Sequence, residues 1–450
     1  MTRTGQALIL AAAALQAVPV AQGRRSPAGS LLAPASMTPR IPSPTERHLD
    51  NGITVLLFED RRVPLVSFRL VIRDAGFLQD PPSQPGLAAA VMSNLRETSF
   101  ARSNFETRLE TLGATLGVSV TAEAAAVQGE GLAQDFAELL RAGAAVVTGS
   151  IAQETFESHM ARARLQTTRP SERDSINMLG RRLFPTESGE GSALEAASRF
   201  VRERLVSSDI CLAVSGPFAA DEMFSTIKEV FGSWSRRSNV SAGSRGSDLR
   251  PKVVLIPTDG AAQTRLVLGS AVADQRALDA PALLVLNQVL GAVGSGRLFR
   301  DLREQRGYAY SPSSTVVWAN GASYFAATMA VNSERLSDAL SATLAEIARL
   351  RSELVPSDEL AAKKRALIAA VPLTMQDRAT LQGAHVGLRL NGLPADYWNS
   401  YGSAIDAVTA EQVRDVARRY LDSSRLVFLM IGNAPAARAA AVGIGLPVEK

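Results

Sequence analysis

The 450-residue sequence has one cysteine, Cys211, and three histidines, His48, His159 and His385. A single cysteine excludes an intrachain disulfide framework and any cysteine-based zinc cluster. The histidines are too far apart in sequence for any two to form a local metal motif. Net charge is also missing from most of the chain. Four of the 48 Lys and Arg lie in residues 1–45, where there is no Asp or Glu; the other 44 face 44 acidic residues. The clustered cationic excess that nucleic acid requires is therefore absent. There is no G-x-S-x-G, so no nucleophile elbow, and neither glycine-rich phosphate loop occurs. Ser225 and Lys228 match S-x-x-K, but they sit in the charged run DEMFSTIKEV without an S-D-N element, which reads as an exposed helix face. Cys211 lies inside an apolar strand and reads as a buried, inert thiol.

What is present starts with an address. Residues 1–23 carry Arg3, then ALILAAAALQAVPVA, then small residues near Ala21 and Gly23. That pattern predicts a secretory signal peptide, and the stretch is too short and Ala-rich for a stable membrane span. Residues 24–45 are rich in Pro, Ser and Ala and read as a leader. In a Gram-negative bacterium the mature protein would be periplasmic.

The body reads as two similar halves. Strand patterns at 52–58 and 65–72 precede helical patterns near 86–97, 103–112, 132–148, 153–166 and 192–206. A strand pair at 115–121 and 125–130, a strand at 210–215 and a helix at 221–232 complete the first half. The polar run 235–250 (SRRSNVSAGSRGSDLR) predicts a linker. The order then repeats, from strands at 252–256 and 264–269 to a final strand at 425–431. The segment from Leu205 to Gly216 aligns with that from Leu421 to Gly432; both read L-x-S-S, then mostly apolar residues, then Gly. Two homologous α+β domains are predicted, 46–234 and 251–436, each a mostly antiparallel sheet packed with helices, with 437–450 as a C-terminal tail.

This order of elements resembles the pitrilysin/insulinase family of zinc metallopeptidases, the inverzincins. Leu49-Asp-Asn-Gly-Ile-Thr-Val55 is similar to the family's L-x-N-G-[LI]-x-V strand, Gly76 follows the second strand as in the family, and Pro85-Gly-Leu-Ala88 is similar to the G-L-A that leads into the metal-binding helix. Residues Leu290 to Phe299 resemble L-G-x-x-x-S-[SG]-R-L-F, and Leu302 to Ser311 resemble L-R-E-x-x-G-L-A-Y-S. The likeness spans about 46–435 and implies two duplicated domains in a half-clamshell.

The resemblance also implies what has been lost. Active members place H-x-x-E-H directly after G-L-A: two zinc ligands one helical turn apart and a general base. Here Ala89, Met92 and Ser93 occupy those degenerate positions. The third family ligand, a Glu some seventy to eighty residues later, falls in His159–Arg169, where no acid occurs. No cofactor is therefore expected in this chain. The family's Arg and Tyr, which anchor substrate and stabilise the oxyanion, match Arg303 and Tyr310. The ordinary alternatives are a surface salt bridge from Arg303 to Asp301 or Glu304, and sheet packing for Tyr310. The resemblance implies a non-catalytic subunit of a heterodimer, giving Arg303 and Tyr310 in trans to a homologous partner that holds zinc, with a peptide or unfolded polypeptide as substrate. A peptide-binding or scaffolding pseudoenzyme is the alternative, and retention of both residues favours the subunit.

Overall fold

This computed structural model describes residues 41–168, 170–186, 191–206, 210–234, 246–248, 250–258, 260–292 and 294–449. The expected signal peptide, the leader up to residue 40 and most of the 235–250 linker lie outside them. The first half runs β1 (Thr45–His48), β2 (Thr54–Glu59), β3 (Leu65–Arg73), α1 (Leu87–Ser103), α2 (Phe105–Thr111), β4 (Thr115–Val120), β5 (Ala124–Leu132), α3 (Phe136–Thr148), α4 (Gln153–Thr168), α5 (Glu172–Leu183), α6 (Ala193–Arg204), β6 (Ile210–Gly216) and α7 (Ala220–Phe231). The second half runs β7 (Lys252–Pro257), β8 (Gln263–Ala271), α8 (Ala280–Leu290), a π-helical turn (Phe299–Gln305), β9 (Ser313–Val317), β10 (Tyr324–Asn332), α9 (Leu336–Ser352), α10 (Ser357–Thr374), α11 (Arg378–Leu390), α12 (Tyr397–Asp406), α13 (Ala410–Tyr420), β11 (Val427–Gly432), α14 (Ala434–Gly443) and β12 (Val448–Glu449).

The strands form two six-stranded sheets, ordered β1-β2-β6-β3-β5-β4 and β12-β7-β11-β8-β10-β9. The parallel pairs are β2 with β6, β7 with β11, and β7 with β12; every other pairing is antiparallel. The aligned L-x-S-S segments end in equivalent strands. Gly216 pairs with Glu59 at the end of β6, and Gly432 pairs with Pro257 at the end of β11. The expected α+β duplication is therefore present. Two differences concern the chain ends. Thr45, read as the last leader residue, begins β1. The expected tail at 437–450 is instead the end of α14 and strand β12, which extends the second sheet beyond β7.

Both sheets are covered on both faces, which explains the nearly unbroken apolar runs of their central strands. Side chains alternate across each strand. Val55, Leu57, Leu70, Ile72, Leu212 and Val214 pack with α1, α3 and the other helices of the first half. Leu56, Phe58, Val71, Cys211 and Ala213 point the other way, into a core shared with the second half. Burial of Cys211 pushes its thiol up to about 12, as an inert core residue requires.

The helix that covers this second face comes from the other half. From the second half, α11 packs on β3 and β6. Its Gln382 is buried and donates to Ser67 O, Ser67 Oγ and Ser215 Oγ at 3.0, 3.1 and 2.9 Å. Arg378 at its start donates to Asp60 Oδ2 at 2.7 Å and to Leu65 O at 2.8 Å. Reciprocally, α5 of the first half packs on β8, β10 and β11. Leu179 and Leu183 join Val254, Val267, Ala326 and Leu429 in one cluster. Tyr324, fully buried, donates to Ile176 O at 3.3 Å. A Cβ on Gly180 would come within 2.8 Å of that Tyr324 ring, so only glycine admits it there. The two copies have exchanged equivalent helices.

Candidate functional site

The segments of the second half that resemble the family motifs build one surface. Arg297 forms two bonds to Glu359, at 3.2 and 2.8 Å, and Arg300 adds a third at 2.9 Å. Lys363 donates to Ser295 at 2.9 Å. These contacts pin the turn Phe299–Gln305 against α10. Its π-helical form is a widening that recurs at functional sites. Gly307, at φ +65°, provides the left-handed step that ends it.

Arg303 lies inside this turn. Its guanidinium carbon sits 4.7 Å from the Phe299 ring centroid and 4.3 Å from that of Tyr310. Aromatic rings attract a cation at such distances. The expected salt-bridge alternative is not what forms: Asp301 pairs with Arg306 at 2.8 Å. Among the described residues, Arg303 makes no ion pair or hydrogen bond. Tyr310 precedes β9, whose pairing begins at Ser313; Ala309 forms an isolated bridge to Val331. Its side chain is 75% exposed, against the packed-sheet alternative. The structure thus brings Arg303 and Tyr310 together on one open surface. Downstream, Ser313 Oγ donates to Glu172 at 2.8 Å, tying this strand to the start of α5.

The degenerate positions lie in the first half. Gly86 caps α1 at φ +90°, and a Cβ there would stand 2.8 Å from the Ala163 Cβ of α4. Glycine is needed on both counts, for the turn and for the close approach of α4. Asp80 fixes the same corner: its two carboxylate oxygens accept from Gly86 N and Ala88 N, each at 2.8 Å. Asp80 is fully enclosed, and burial raises it to about 6. Gly76 is explained by contact rather than by conformation. Its Cβ would fall 2.3 Å from Ala122 O, because residues 76–78 bond edge-on to the 121–123 turn.

Ala89, Met92 and Ser93 face a cavity of about 270 Å³, and Ala163 faces it from α4. Ala163 stands in the region where the third ligand was expected and offers no donor. A zinc ion does not fit this set, since methyl groups, one thioether and one hydroxyl cannot replace two imidazoles and a carboxylate. His159 does not line the cavity; its Nε2 lies 3.2 Å from Glu97. Among the described residues, no group of three or more His, Cys, Asp or Glu is placed to share a metal ion. Sequence reasoning missed Asp80, Arg173, Asn177 and Arg181, which also line the cavity. The one signal for the last three was their spacing of four, a single stripe on a helix.

Glu123 is buried in the β4–β5 turn, with Oε1 lacking a hydrogen-bond partner among the described residues. Burial raises its carboxyl to about 7, despite a bond from the Asn320 backbone. A raised acid costs stability once the folded state must ionise it. Glu123→Gln should therefore raise the melting temperature at pH 8. That advantage should shrink as pH falls through 7 and vanish near pH 4, where the unfolded carboxyl is also protonated. Melting curves from pH 4 to 8 check this; an advantage independent of pH would contradict it.

Residues 193–367 match the family description Peptidase M16 inactive domain. An uncharacterized zinc protease of Mycobacterium leprae is 30% identical over 236 residues, half of each chain. One from Mycobacterium tuberculosis is 27% identical over 227 residues, again half of each. The chain thus spans about half the length of the relatives it matches by sequence. A solved peptidase M16 inactive domain from Pseudomonas fluorescens superposes with TM-score 0.72 at 20% identity, covering 87% of this chain and 98% of that one. A Helicobacter pylori protease gives TM-score 0.75 at 15% identity, covering 87% and 100%. The last two share the fold. Residues 193–367 thus match the peptidase M16 family, and the described chain shares the fold of solved members, without the H-x-x-E-H motif. It is a peptidase-like protein whose own zinc positions carry no zinc ligands. Among the described residues, no helix is long and apolar enough to cross a membrane.

Proposed function

We propose that this chain is the non-catalytic subunit of a two-chain zinc peptidase, exported to the periplasm by residues 1–23. It contributes Arg303 and Tyr310 to a peptide held against a homologous subunit. The observation that carries this reading is the Arg303–Tyr310 pair itself. An arginine stacked between two rings, with none of its donors consumed inside the described chain, is ordered at little cost and open to an external acceptor. A scaffold has no need of both groups in that state. The partner supplies the metal and the base; Arg303 and Tyr310 donate to the peptide carbonyl oxygen as it gains negative charge.

The test is reconstitution with an H-x-x-E-H homologue from the same genome. Size-exclusion chromatography should give one complex, and peptide turnover should exceed that of the homologue alone. Separate peaks with unchanged turnover would instead support a peptide-binding or scaffolding role.

A further inference from the structure

The cavity at the degenerate zinc positions has a polar wall of its own. Its α5 wall carries Arg173, Asn177 and Arg181 at intervals of four residues, hence on one face. The guanidinium carbon of Arg181 lies over the Phe77 ring, 5.3 Å from its centroid. Its Nε is buried and has no hydrogen-bond partner among the described residues. Asp80 stands 3.9 Å from its Nη1, close enough for an ion pair but too far for a hydrogen bond. Asp80 also has its oxygens occupied by Gly86 N and Ala88 N. The other acid on the rim, Asp174, is taken up by the capping box with Ser171. Both acids accept bonds within the chain, while the Nε donor of Arg181 has no acceptor among the described residues. The opposite walls supply Ser93 and Ser119, and around them Met92, Met178, Val118 and Val120 form an apolar lining.

A buried arginine donor lacking an acceptor needs an anion, and a planar guanidinium fits a carboxylate best. The apolar lining asks for a small hydrocarbon group beside it. We propose that this cavity binds a carboxylate carried on a small apolar body, such as the C-terminal residue of a peptide. Arg181 holds the carboxylate, Ser93 and Asn177 add hydrogen bonds, and the methionine and valine side chains receive the apolar group. Loss of the metal ligands made the room: Ala89 and Ala163 leave the volume that imidazole and carboxylate would fill. The site lies within this one chain and does not depend on pairing with another.

The test uses the purified chain and isothermal titration with three probes: acetyl-Ala-Ala-Leu with a free carboxyl end, the same peptide amidated, and isovalerate. The free acid should bind saturably, and the amide at least tenfold more weakly. Arg181→Gln should weaken the free acid at least tenfold. Ser93→Ala, which removes the hydroxyl donor without adding bulk, should weaken it severalfold if Arg181→Gln does not fold. Isovalerate equal to the free peptide would support the site while making a small acid its ligand; weaker isovalerate would make it a peptide end. Equal binding of acid and amide, or no binding of any probe at millimolar concentration, would overturn the proposal.

Discussion

Replacing Arg303 with Ala, or Tyr310 with Phe, is expected to lower turnover by the reconstituted pair about 100-fold, with the complex still forming. The size follows from what each group would do. A donor aimed at a developing oxyanion acts in the transition state more than in the bound substrate, so kcat should fall and KM should change little. Neither change should unfold the chain. The turn that carries Arg303 is held by Arg297, Arg300 and Glu359, and by Arg306 with Asp301, none of which is altered. Tyr310 is mostly exposed, and its hydroxyl leaves no buried group without a partner. Steady-state kinetics on the purified complex are the measurement. Turnover unchanged in both variants would remove the catalytic-partner reading and leave the anion cavity untouched.

Replacing Gln382 with Ala should destabilise the whole chain by about 3 kcal/mol, because Ser67 O and the Ser67 and Ser215 hydroxyls lose their buried donor together. Gln382 stands on α11 and its partners stand on β3 and β6, so the loss falls on the joint between the halves. Denaturation should remain a single transition with a lower midpoint, since each sheet is closed by a helix from the other half. A loss below about 1 kcal/mol, or two separate transitions, would show that the exchanged helices do not couple the halves.

Much of this arrangement was legible in residues. Alternation and apolar runs located the central strands, and the L-x-S-S repeat located equivalent strands of two sheets. Gly76 and Gly86, noticed only as matches to a pattern, turned out to be places where backbone or Ala163 leaves no room for a side chain. Arg303 and Tyr310 were singled out from the resemblance, but their mutual contact was not foreseen, because spacing along a chain does not fix a ring against a guanidinium. The main omission was α5. Its Ile176, Leu179 and Leu183 have helical spacing, and Ser171 with Asp174 forms a capping box. Gly180 and the preceding Pro170 weaken that signal. Gly180 is there because Tyr324 presses on it from the second sheet, a tertiary demand that no local pattern can announce. The same omission hid Arg173, Asn177 and Arg181, and with them the polar wall of the cavity. At the chain end, the short β12 was read as tail because two strand residues have no periodicity to detect.

The exchange of α5 and α11 changes what the duplication means. A cut anywhere in 235–250 separates two copies in sequence, but it leaves each sheet without the helix that closes it. Tyr324 and Leu429 on one side, and Phe58 and Cys211 on the other, would all face water. The copies are therefore obligate complements rather than beads on a string. One half can vary in its surface, yet neither can be discarded or shuffled into another protein without undoing its twin.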